Sequence, residues 1–100
     1  MKLIDVVDNI NQMDENSVIF IAENDLVNED TNATIIPDSL LPGNGRAPEG
    51  LKYLLEVNLV KELIDVWRNW RSGKEPTRKE KYLAFVYFIE HDAYLPPEDN

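Results

Sequence analysis

The chain has 100 residues, a net charge of −9 from 19 acids and 10 bases, 43% apolar residues and no cysteine. That length supports one core, with residues 1–100 as a single domain, and leaves little area for a deep substrate pocket. The missing cysteine excludes disulfides, thiolate zinc sites, iron–sulfur ligation and a cysteine nucleophile, while the acidic field argues against a nucleic-acid partner.

Leu3, Val6, Val7, Ile10 and Met13 recur at helical spacing, which predicts an amphipathic helix over residues 2–13. Acids interrupt this pattern, so it does not match the apolar centre of a secretory signal, and no run approaches the ~18 residues of a membrane span. A cytoplasmic protein without a membrane partner is the expectation. The short β-branched and aromatic run Val18–Ala22 predicts a central strand buried on both faces. Residues 23–32 are acidic and amide-rich and read as a loop, after which Ala33–Ile36 predicts a second strand stopped by Pro37.

Pro37, Pro42, Gly43, Gly45, Pro48 and Gly50 then punctuate a long loop. Residues 52–57 predict an edge strand, with Tyr53, Leu55 and Val57 on one face and Lys52, Leu54 and Glu56 on the other. Asn58 is placed to cap a helix whose stripe is Leu59, Leu63, Val66 and Trp70, widened by Val60, Ile64 and Trp67. Gly73 suits a left-handed helix end, and Pro76 prevents continuation. Thr77 and Glu80 form a capping-box pair ahead of the eight-residue apolar run Tyr82–Ile89, which predicts a last helix. The fold class is therefore α+β: a small, mostly antiparallel three-stranded sheet with an N-terminal helix and a C-terminal helical hairpin. A helix apolar on every face needs cover on more than one side, from its own domain or from a second copy in a homodimer.

Chemistry-bearing residues are sparse. The only histidine, His91, precedes Asp92, but neighbours on a helix point about 100° apart, and metal-dependent phosphohydrolases draw further ligands from other helices. Ser17, Ser39 and Ser72 lack a nucleophile-elbow context. Gly43-Asn44-Gly45 lacks the following Lys-Ser/Thr of a phosphate loop, and the acidic segment Glu23, Asp25, Glu29, Asp30 lacks the glycine and final glutamate of a calcium loop. No cofactor or metal is expected.

Charge is uneven: residues 1–51 hold ten acids against two bases, whereas Arg68, Arg71, Lys74, Arg78, Lys79 and Lys81 gather around one turn. The simplest reading of this basic cluster is a solvated turn that complements a helix dipole. Trp67 and Trp70 lie beside Arg68 and Arg71, a composition shared by core stripes and interface hot spots, and at least one tryptophan is expected in the core.

Tyr53-Leu54-Leu55-Glu56-Val57, Trp67, Glu75-Pro76-Thr77, Lys81 and His91-Asp92-Ala93-Tyr94-Leu95 resemble a family of small acidic bacterial proteins known only as a domain of unknown function, over roughly residues 50–95. The resemblance implies a bacterial cytoplasmic setting and carries no catalytic residues. The functional expectation is a non-catalytic protein-binding domain of the immunity or inhibitor kind. It would cover a basic partner surface with Glu23, Asp25, Glu29, Asp30 and Asp38. The alternatives are a structural or adaptor subunit, or a small metal-dependent hydrolase using His91, Asp92 and the acidic-loop carboxylates.

Overall fold

The computed structural model describes residues 1–43 and 46–98, so Asn44 and Gly45 of the glycine-rich loop lie outside the described residues. Three helices, α1 (Leu3–Asp8), α2 (Val57–Asn69) and α3 (Arg78–His91), accompany three strands, β1 (Ser17–Ala22), β2 (Ala33–Pro37) and β3 (Leu51–Glu56). The strand order is β2-β1-β3, antiparallel throughout, so the α+β expectation holds and the apolar run at Val18–Ala22 is the central strand. Val18, Ile19, Phe20 and Ile21 are all buried, as a strand covered on both faces requires.

The helices share one face of the sheet. Ile19 and Leu55, paired across β1 and β3, join Leu3, Val6, Val7, Val60, Leu63, Trp67 and Phe85 in one core. Burial of this apolar area, at about 25 cal/mol per Å², is what holds the elements together. Among the described residues no helix is long and apolar enough to cross a membrane.

Three local expectations are corrected. The helix predicted over 2–13 stops at Asp8 and resumes only as a 3-10 turn at Ile10–Gln12. Asn9 stands at the break, where its side-chain amide donates to the Asp5 carbonyl at 2.9 Å and so competes with the backbone ladder. Asn58 is not a cap: α2 begins at Val57, with Glu56 in the flanking place and no side-chain bond. The third correction concerns β3, where a bulge shifts the register so that Ile19 faces Leu55 and Phe20 faces Tyr53. One extra residue inverts every later side chain. Tyr53 and Leu55 therefore occupy opposite faces, Leu55 in the core and Tyr53 outside beside Phe20.

The end of α2 and the start of α3 follow their sequence signals. Thr77 Oγ1 accepts from the Glu80 N–H at 3.1 Å while the Glu80 carboxylate accepts from the Thr77 N–H at 3.0 Å. Gly73 adopts φ +81°, and its N–H bonds the Arg68 carbonyl at 2.8 Å. On α2 the buried stripe is Val57, Val60, Leu63, Ile64 and Trp67, which leaves Trp70 49% exposed against Tyr94. Trp67 is the core tryptophan.

Candidate functional site

The acidic loop between β1 and β2 is built into the fold through its backbone. Leu3 and Ile4, the first N–H donors of α1, have no partners within their own helix and instead donate to the carbonyls of Thr31 and Glu29 at 2.8 and 3.1 Å. Thr31 is buried, and its hydroxyl donates to the Leu26 carbonyl at 2.6 Å while accepting from the Asn28 N–H at 3.1 Å. The loop thus doubles as the N-terminal cap of α1.

Its carboxylates fall into two groups. Glu29 pairs with Lys79 at the start of α3, and Asp30 pairs with Lys2 at 3.3 Å. Both belong to the internal ionic framework. Glu23 and Asp25 stand exposed beyond the end of β1, and Asp38 stands exposed after β2; none of the three forms an ion pair among the described residues. The five acids singled out in the sequence do not form one patch. Asp38 follows the last residue of β2, level with Asn16, and Glu23 follows the last residue of β1; because these strands are antiparallel the two acids lie at opposite ends of the sheet, roughly 23 Å apart by strand rise.

The basic cluster is solvated, with Lys74, Arg78 and Lys79 exposed, and its cations are in addition paired with carboxylates of this chain. Arg68 grips Glu75 and Asp65, with closest contacts of 2.6 and 2.9 Å, and Lys74 lies 3.6 Å from Glu80. Arg78 pairs with Asp5, and Lys81 holds both the Asp8 side chain and its carbonyl at 3.2 Å. Two successive turns of α1 are thereby matched to two of α3. The Arg71 guanidinium lies 4.3 Å over the Trp67 ring and donates to the Leu95 and Pro96 carbonyls, fixing the tail across α2.

That tail and the two helices enclose a cleft of about 420 Å³, lined in part by Trp67, Leu83 and Pro96. Its cations are engaged as above. Glu80 and Glu98 are its carboxylates, and Glu80 is held below the usual range by the Thr77 backbone N–H, so it stays ionised at neutral pH, the wrong state for a general acid. His91 stacks on Tyr87 at the far end of α3 from Lys79 and Glu29, about 18 Å along the helix. Among the described residues no three His, Cys, Asp or Glu side chains are grouped to hold a metal ion.

A second, smaller groove opens on the sheet face away from the helices, with Asp38 and Glu56 among its lining residues. Partial burial, followed by the nearby Glu56 carboxylate, raises the Tyr53 hydroxyl above its ordinary pKa. Strict alternation along the strand puts Glu56 and Tyr53 on opposite faces, so their meeting here is not legible from the sequence and depends on the bulge.

Comparison with curated proteins and with solved structures finds no match. Residues 1–96 match the sequence pattern of a family described as a domain of unknown function, DUF7716, a match that reaches well beyond the C-terminal half where the resemblance was first legible. The helix-capping acidic loop, the bulged third strand and the α3 ion pairs all fall inside this span, and the chain belongs to the DUF7716 family.

Proposed function

We propose that this chain is a non-catalytic, acidic protein-binding domain of the immunity or inhibitor kind, working in a bacterial cytoplasm by covering a basic surface of a partner protein. One observation carries the reading: Lys2, Arg68, Lys74, Arg78, Lys79 and Lys81 are spent on internal carboxylates, whereas Glu23, Asp25 and Asp38 are exposed without an ion pair among the described residues. Unneutralised carboxylates on a chain of net charge −9 attract a positive partner over a distance set by the Debye length. The small size and sparse chemistry support a surface that acts by occupation.

The test compares the wild type with the triple variant Glu23→Lys, Asp25→Lys, Asp38→Lys as baits in a host lysate. It is run at low salt and again at about 1 M, where the screening length falls to about 3 Å. The wild type should retain a basic protein at low salt and release it at high salt, and the variant should retain none of it. Equal recovery by both baits, or no basic protein at either salt, would overturn the reading.

A further inference from the structure

The outer face of the sheet is only partly closed. Val18 and Phe20 of β1 form a buried apolar floor, and Tyr53 of β3 meets Phe20 edge-on with ring centroids 6.4 Å apart. Leu41, Pro42 and Ala47, from the loop that follows β2, line the groove with them. The space between measures about 220 Å³. Small-molecule sites usually run from ~300 to 1,000 Å³, so this groove suits one large side chain better than a whole ligand.

Its chemistry is mixed in a specific way. The floor is hydrocarbon and aromatic, and Tyr53 leaves half of its surface open to solvent. The polar residues that line the groove are Asp38, Glu56 and Arg46, two carboxylates to one guanidinium. An apolar anchor is favoured by the floor, and positive charge beside that anchor is favoured by the carboxylates.

We propose that this groove receives one large apolar side chain of a partner protein, presented by a segment in which lysine or arginine flanks that side chain. The inference rests on the protein-binding reading above and names what the acidic surface recognises at the Asp38 end of the sheet. A purely cationic surface satisfies only the long-range attraction; the anchor adds a short-range preference that salt does not screen.

Two short labelled peptides separate the contributions, one with phenylalanine between two lysines and one with alanine in its place. The phenylalanine peptide should bind the wild type about tenfold more tightly, and amide resonances of Phe20, Asp38, Tyr53 and Glu56 should shift in an NMR titration. Tyr53→Ser should erase the difference between the peptides while leaving the weaker binding of the alanine peptide in place. The double variant Asp38→Asn, Glu56→Gln should weaken both peptides by a similar factor, a readout that does not depend on Tyr53→Ser remaining folded. Equal affinity for the two peptides, no binding of either, or shifts confined to Glu23 and Asp25 would overturn the groove. None of these results would touch the acidic-surface reading, which is judged by salt-dependent capture of a whole basic protein.

Discussion

Phe85 and Leu83 sit two positions apart on α3 and do opposite things. Phe85 is fully buried in the core beside Tyr82, with ring centroids 6.3 Å apart, whereas Leu83 is 47% exposed at the tail cleft. Phe85→Ala leaves a cavity that the surrounding helices fill only in part and should cost about 3–5 kcal/mol, a large share of a small domain's stability. Leu83→Ala should cost less than half as much. Urea denaturation with the slope held common checks both; a small effect at Phe85 would mean that the α1, α2 and α3 faces do not converge on it. The same contrast separates Trp67 from Trp70. In the sequence both sit on one broad apolar stripe, and nothing in it says where the stripe is centred, because Tyr94 covers Trp70 from a tail that helical periodicity does not reach.

At the scale of elements, the capping box of α3 gives a pH dependence whose sign follows from its hydrogen bonds. Glu80 is held below the ordinary carboxylate range by the Thr77 N–H, and Glu75 by the Arg68 guanidinium. Both folded-state values lie under the unfolded value of about 4.3, so their contribution is complete above that value and disappears as pH falls through it toward the folded values. The melting temperature should therefore fall on acidification below about pH 5. Glu80→Gln should flatten the slope while keeping the box, since glutamine can make the same backward bond. Thr77→Ala should lose about 1 kcal/mol at neutral pH. An unchanged acid slope in Glu80→Gln would assign it to other carboxylates. This helix start was legible in the sequence because capping and apolar periodicity are local signals that agree. The bulge in β3 was not, since an inserted residue leaves the composition of Leu51–Glu56 unchanged and shows only in the partner strand's register. Nor was the short α1, whose break depends on an asparagine amide choosing the Asp5 carbonyl over water. The groove by Tyr53 was hidden for the same reason as the bulge. The acids at Glu29 and Asp30 looked free because Lys79 and Lys2 lie far from them in sequence.

For the molecule as a whole, the basic side chains act as internal counter-charge, and this bears on its state of association. The run Tyr82–Ile89 called for cover on several sides. The chain supplies much of it: α1 and α2 pack on α3, and Tyr94 lies against Phe88 with ring centroids 5.6 Å apart. Val86, Tyr87, Phe88 and Ile89 are left half-buried, which is ordinary for a monomer surface when scattered among charges. A second copy would also bring two bodies of charge −9 together, a repulsion that only a large apolar contact offsets. Light scattering at micromolar concentration should therefore give a mass near 11.5 kDa at low salt. If screening the charge with salt raised the mass to about twice that value, the half-buried side of α3 with Leu83 would be the surface that pairs, and Leu83→Lys should restore the monomer. A doubled mass already present at low salt would show that apolar contact outweighs the repulsion, and would place the homodimer ahead of the monomer as the form to which the proposed binding of a basic partner applies.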